Sequence, residues 1–379
     1  MKTKLMKTRI SKLTSGSALM TIALFLWGSS AFASTLLVDD DKTECPDAGF
    51  NKIQDAVDAA TPGDTIQVCS GTYDEQVKIA KPLSLVGVLR DGKNAAVVQP
   101  SNVVANADFL GTPNAAMILV QDTSGVTIKD ITIDGINNGV VCSGDFPFIN
   151  GIFFRNASGK VESVVIKNLL SPEACAFGDG FDILATEGEV LQITVKDSSI
   201  HDYDVTGILG YGAGVSLSAI KNVVTGRAVA TPEQRGIDLD GGANGSIEEN
   251  IVTNNFNPNP SGFISHNIGL FGATDSSVVG NILGFTNFAI EAWPATGVSF
   301  LENRIFNASF AGFFIVGDDN VLKDNSITNS PSVAVSVSGV NNTIQGNTIN
   351  EASLGLFSTT GNHVSEDNLF FNTTRRGRK

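Results

Sequence analysis

The chain has 379 residues and carries 39 Asp and Glu against 25 Lys and Arg, a net charge of −14. A field of that sign repels nucleic acid and anionic lipid, which excludes tight binding of a polyanion unless cations bridge the two. Hydrophobic residues make up 42% of the sequence, enough for a sizeable core, so the acidic excess belongs to the surface.

At the start, Lys2, Lys4, Lys7, Arg9 and Lys12 precede an apolar run from Leu19 to Trp27, and Ala31-Phe32-Ala33 follows. A basic stretch, an apolar stretch and a small-x-small site read as a secretory signal peptide over residues 1–33, with the mature chain beginning at Ser34. The apolar run is shorter than the roughly 18 residues of a spanning helix, and no later stretch reaches that length. A secreted protein, periplasmic or extracellular and without a membrane span, is expected. Without the leader, 20 Lys and Arg face 39 Asp and Glu, a net charge of −19, and four of the 20 sit in the tail at residues 375–379.

All four cysteines, Cys45, Cys69, Cys142 and Cys175, lie beyond the leader. An even number in an oxidising compartment predicts two disulfides from three possible pairings. Cys45 with Cys69 and Cys142 with Cys175 are preferred, because each closes a local loop. No C-x-x-C occurs, and His201, His266 and His363 are scattered, so no structural zinc site is expected.

Residues 50–60 place Ile53, Ala56, Val57 and Ala60 at helical spacing, with Pro62-Gly63 as the stop. A lone helix before a run of strands predicts a cap over the open end of a stacked core. Short strands follow in Asp64–Cys69, Gln76–Ile79 and Pro82–Gly87. The segments Ile53–Ala60, Pro62–Ile66, Gly71-Thr-Tyr73, Val77-Lys-Ile79 and Lys81–Gly87 together resemble the amino-terminal cap of the right-handed parallel β-helix, pectin-lyase-like superfamily, including pectin methylesterases and NosD-like periplasmic proteins. The resemblance implies an all-β, single-stranded β-helix solenoid, as one domain over residues 34–374. It implies no one activity, because that superfamily hosts lyases, hydrolases, esterases, epimerases and non-enzymes.

The repeat itself is written most plainly near the end. One phrase recurs with Asn281, Asn303, Asn325, Asn347 and Asn368 at steps of 22, 22, 22 and 21 residues, each beside an Ile or Leu. Self-similarity at this period, in β-branched runs without a 3.6-residue pattern, predicts about ten stacked rungs with an Asn ladder on the axis. Earlier rungs, phrased at Asp130, Asn168, Asp197, Asn222 and Asn250, are spaced by 25 to 38 residues, so loops leave the coil between residues 140 and 295. Pro-bearing segments at 145–148, 171–175, 231–235 and 257–261 would wall a binding face there.

A second phrase gives one strand per rung, such as Gly180-Phe-Asp-Ile183, Gly236-Ile-Asp-Leu239 and Ala289-Ile-Glu-Ala292. Strand alternation turns the apolar pair inward and sets Phe153, Asp182, Asp238, Gly269, Glu291, Phe314 and Ser336 in one outward column. Arg155, Asp240, Phe271 and Trp293 point the same way two residues on. Asp182, Asp238 and Glu291 are the candidate catalytic carboxylates on a solvent-facing ribbon. Arg155, Arg235, Asp240 and Trp293 are candidate substrate contacts, with His201 and Tyr203 as a second cluster: acids for proton transfer, aromatics for stacking on sugar faces. Asp202, Asp204, Asp238 and Asp240 on neighbouring rungs make a weak Ca²⁺ site conceivable; no other cofactor is expected. The catalytic signatures of pectin methylesterases, polygalacturonases, mannuronan epimerases and pectate lyases are absent. The expectation is therefore a monomeric secreted β-helix that acts on or binds an extracellular polysaccharide, as a lyase or hydrolase using the acidic ribbon, or as a non-catalytic glycan-binding or cell-surface interaction protein.

Overall fold

The computed structural model describes residues 33–141, 147–171, 177–228, 233–259, 264–359 and 363–374. Short strands pair in parallel with their equivalents one turn away, so the chain coils as a parallel β-helix with three sheets along it. The first sheet holds 13 strands, from Thr35–Val38, Thr65–Val68 and Ser84–Gly87 to Thr343–Gln345 and Val364–Glu366. That exceeds the expected ten or so by three strands, because the coil is already formed before the first phrase at Asp130: Thr35–Val38, ahead of the helix, pairs in parallel with Thr65–Val68, and that with Ser84–Gly87. The second sheet runs through Thr132–Asp134, Val165–Leu169, Ser199–Tyr203, Val223–Thr225 and Ile251–Thr253. The third stacks Thr112–Gln121, Phe148–Arg155, Gly178–Leu184, Thr206–Tyr211, Arg235–Asp240 and His266–Leu270. From Ile282–Ala292 onward one long strand bends through both of the latter sheets, and this gives the even 22-residue rungs.

The helix spans Ile53–Ala59, shorter than the spacing predicts, and buries Ile53, Ala56 and Val57 against the same core as Ile66 and Val77. Its start is set from another rung: the Glu75 carboxylate accepts the Ile53 and Gln54 N–H groups at 2.7 and 2.9 Å. Those donors have no partner inside the helix, and an anion suits the positive end of its dipole. The Cys45–Cys69 disulfide is formed, with Cα atoms 6.4 Å apart. Cys142 and Cys175 lie outside the described residues, as do the leader and the basic tail.

The Asn ladder runs through Asn222, Asn250, Asn281, Asn303, Asn325, Asn347 and Asn368. Each Nδ2 donates to the next Oδ1 at 2.9–3.0 Å, and each backbone N–H donates to the same oxygen. The phrase is out of step by one residue at Asp130 and Asp197, which take the left-handed turn conformation (φ 55° and 50°), and the Ser198 N–H donates the ladder bond to Asn222 Oδ1; Asn168 lies within the second-sheet strand Val165–Leu169, off the ladder. Later rungs place Glu249, Glu302, Asp324 and Asp367 in that same left-handed position, one residue before the ladder Asn.

Candidate functional site

Strand register fixes one outward column on the third sheet. Phe153 pairs with Asp182, Asp182 with Leu209, Leu209 with Asp238, Asp238 with Gly269, Gly269 with Glu291 and Glu291 with Phe314. The expected residues share the column, with Leu209 inserted between the two aspartates. Two rungs at about 4.8 Å put the Asp182 and Asp238 backbones roughly 10 Å apart.

Outward does not mean wet. Asp182 is 1% exposed and Asp238 is 0% exposed, against the expectation of a solvent-facing ribbon. Around Asp182 the outward layer is itself packed: Ala116, Leu119, Phe153 and Leu184 form an apolar patch covered by Phe109 and Tyr211. Asp182 Oδ2 accepts from Asn150 Nδ2 at 2.6 Å, while its Oδ1 is buried without a partner. Burial, and then the neighbouring Asp179 carboxylate, push the Asp182 pKa well up, and burial also raises Asp179 to about 6. Asp182 is a buried acid removed from the surface that a substrate could reach.

Three rungs further on, the column opens into a cleft of about 500 Å³ lined by Glu233, Arg235, Asp240, His266, Glu291 and Trp293, with Ile264, Phe271 and Phe288. Its floor is an ion-paired chain. His266 is 3% exposed; its Nε2 stands 2.8 Å from Asp238 Oδ1, and its Nδ1 stands 3.3 Å from Glu291 Oε2, near enough for attraction but not aligned as a hydrogen bond. Burial alone would lower the imidazole pKa. The Asp238 and Glu291 carboxylates outweigh it and raise the pKa to about 9, so the ring is an imidazolium at neutral pH. Burial would likewise raise Asp238, yet the His266 and Arg235 charges hold it below the usual carboxylate range. Arg235 lies 3.7 Å from Asp238 and hydrogen-bonds Glu233.

Gly269 explains how these groups meet. A Cβ there would lie 2.5 Å from both Asp238 Oδ1 and His266 Nε2, so the missing side chain is the space in which the pair forms. At the mouth, Trp293 is 59% exposed. Asp240 is half-buried, and burial, with Asp238 behind it, raises its pKa despite the 2.5 Å bond from the Gly241 N–H. A second groove of about 470 Å³ crosses the first sheet, but Ser, Thr, Gln and a single Lys line it and no acid joins it.

The remaining sequence candidates lie elsewhere. Arg155 pairs with Asp108 at 3.1 Å, beyond the cleft lining. His201 and Tyr203 sit on the second sheet: His201 Nδ1 meets Asp202 at 2.7 Å, and Tyr203 is fully buried in the interior, its hydroxyl on Asn255. The left-handed residue Asp202 (φ 55°) breaks the alternation after the inward Ile200 and turns Tyr203 into the core, which is why that cluster dissolves. The four aspartates considered for Ca²⁺ do not converge. Asp202 faces His201, Asp204 is held by Ser171 and Arg227, and Asp238 by His266. Of the rim segments, 142–146, 172–176, 229–232 and 260–263 lie outside the described residues. His266 is the residue that sequence reasoning missed. The available signal was the position one before the small residue of each strand phrase, which aligns Arg235, His266 and Phe288 rung over rung.

Residues 191–377 match the sequence model of the NosD family, described as a periplasmic copper-binding protein. No curated protein matches the sequence. Among solved structures, the lacto-N-biosidase of Eubacterium ramulus superposes with a TM-score of 0.62 at 12% identity, over 89% of this chain and 68% of that one. The A-module of the mannuronan C-5 epimerase AlgE4 of Azotobacter vinelandii gives 0.52 at 16%, over 86% and 92%. The family 28 exopolygalacturonase of Yersinia enterocolitica gives 0.52 at 11%, over 92% and 78%. Copper sites draw on imidazole, thiolate and thioether. Here His266 is protonated between two carboxylates, Met117 is buried in the core, and the one convergent set of three metal-ligating groups among the described residues is Asp39, Asp41 and Glu44, all oxygen and outside the matched segment. The described residues do not fit copper. What the matches and the coil agree on is the fold, a right-handed parallel β-helix.

Proposed function

We propose that the chain is an exported glycan-acting protein whose cleft binds a neutral polysaccharide segment and hydrolyses a glycosidic bond in it. One observation carries this reading. An exposed indole, an acid of raised pKa (Asp240) and a carboxylate steadied by an imidazolium (Glu291 on His266) share one cleft. Trp293 supplies a flat face for a sugar ring. Asp240, its pKa raised by burial, donates its proton to the leaving oxygen, and Glu291 takes a proton from the water that attacks the anomeric carbon. Asp238, His266 and Arg235 position Glu291 from below. With Glu233, Asp238, Asp240 and Glu291 against Arg235 and His266, the site is net negative, which disfavours uronate chains and favours neutral sugars. The basic-apolar leader, the Cys45–Cys69 bridge and the periplasmic description of the matched family support export.

The test is a depolymerisation and binding panel of neutral and uronic polysaccharides with wild type, Asp240→Asn, Glu291→Gln and Trp293→Ala. Turnover should fall by about 10²–10⁴ in either acid variant with binding retained. Affinity should fall on the order of tenfold in Trp293→Ala. Binding without turnover in the wild type would leave the non-catalytic glycan-binding alternative, and binding to no glycan would sink both.

A further inference from the structure

The turn after the first strand, Asp39-Asp-Asp-Lys-Thr-Glu-Cys45, carries four carboxylates in six residues. One oxygen from each of Asp39, Asp41 and Glu44 lies within 4.8 Å of the others. Asp41 and Glu44 are exposed, whereas Asp39 is 0% exposed. Asp39 Oδ2 accepts the Cys45 N–H at 2.5 Å, and its Oδ1 is buried with no partner at all. Among the described residues no Lys, Arg or His forms an ion pair with any of the three. Asp40 turns away, its Oδ2 accepting the Thr72 N–H at 3.0 Å.

A fully buried carboxylate oxygen without a hydrogen bond or counter-charge, beside two further carboxylates, is an arrangement that folding resists unless a cation completes it. The donor set decides which cation. All donors are hard oxygens, the one nearby sulfur is locked in the Cys45–Cys69 bridge, and no imidazole is present, which excludes a zinc or copper preference. The ligands come from an irregular turn with Lys42 in the left-handed region (φ 62°), a setting that suits the loose six-to-eight oxygen shell of calcium better than the strict octahedron of magnesium.

We propose that Asp39, Asp41 and Glu44 bind a calcium ion that, together with the disulfide, pins the amino-terminal turn to the first rung of the coil. The site stands apart from the cleft and does not depend on the glycan reading. Tyr73, whose hydroxyl donates to the Val38 and Cys69 carbonyls beside this turn, would be held by the same closure.

The experiment uses the full mature chain with Ca²⁺ alone as probe, by calorimetric titration and by thermal melting in Ca²⁺ against a chelator. The expected Kd is on the order of 10⁻⁴–10⁻³ M, as for extracellular calcium modules, with a rise in Tm of about 2–4 °C at tenfold Kd. The double substitution Asp41→Asn with Glu44→Gln changes only exposed side chains and should abolish both responses, whereas Asp240→Asn should keep both. Absence of Ca²⁺ heat together with equal Tm in Ca²⁺ and chelator would overturn the proposal. So would a full Ca²⁺ response in the double variant.

Discussion

His266 gives the sharpest test of the cleft, because its charge is buried and its titration falls in an accessible range. The folded pKa of about 9 stands against 6.5 for the free side chain, a difference of about 2.5 units. At 1.36 kcal/mol per unit this is about 3 kcal/mol of folding stability tied to the protonated ring. With the side chain 4% exposed, solvent screens little of it. A raised pKa sets the sign: the contribution is complete below pH 6.5, declines as pH climbs from 6.5 to 9, and is gone above 9. Asp179, raised to about 6, loses its acid-favouring contribution chiefly below that pH, while Asp182, pushed well up by burial, is common to wild type and variant and cancels from their difference. Denaturant unfolding at a series of pH values should show wild-type stability falling by up to about 1.4 kcal/mol per pH unit in that window. In His266→Gln, which has no imidazole to titrate, the slope should flatten, and the gap between the two proteins should shrink by about 3 kcal/mol from pH 6 to pH 9.5. Parallel curves between pH 6.5 and 9, or an imidazole titrating below 7 by NMR, would refute the ion-paired chain.

Two further outcomes follow from neighbouring geometry. Asn303→Ala would leave the Val278 carbonyl and the Asn281 backbone N–H without their partners, while Asn281 Nδ2 keeps the Ile247 carbonyl; at about 1–3 kcal/mol for each of the two orphaned groups, denaturant unfolding should show a loss of roughly 2–6 kcal/mol. The exposed pair Thr359–Ser338 serves as control, and Thr359→Ala should cost under about 0.5 kcal/mol. Gly269→Ala would insert a methyl between Asp238 and His266, and should erase the alkaline stability slope together with any turnover; a variant that keeps the slope would show that the pair tolerates the intrusion.

The coil was legible because its information is periodic. A ladder Asn every 22 residues, a left-handed residue before it and an inward Ile after it restate one backbone solution, and stacking makes each copy reinforce the next. Where excursions stretch the spacing, the phrase alone no longer fixes the register. The assignment slipped by one residue at Asp130 and Asp197, since Asp is at home both in a left-handed turn and in a polar ladder. The site suffers most from this. Asp238 and His266 are 28 residues apart and His266 and Glu291 are 25 apart, so no local motif joins them; only the pairing of Arg235 with His266 and of His266 with Phe288 does.

The deeper reason concerns the word outward. Alternation along a strand predicts which side of the sheet a residue leaves from, and the column from Phe153 to Phe314 holds in register throughout. It does not say what lies on that side. The hairpin Ala107–Phe109 with Thr112–Gln121 brings Phe109 over the column at Phe153, and Phe271, Phe288 and Trp293 gather over it near His266. The same correct register that was expected to keep Asp182 and Asp238 in water therefore buries both. The two burials are met differently: burial and the Asp179 carboxylate push the Asp182 pKa well up, while His266 and Arg235 hold Asp238 below the usual carboxylate range. Only the second cluster reaches a surface that a ligand can touch, through Glu291, which is why the proposed chemistry lies between Arg235 and Trp293.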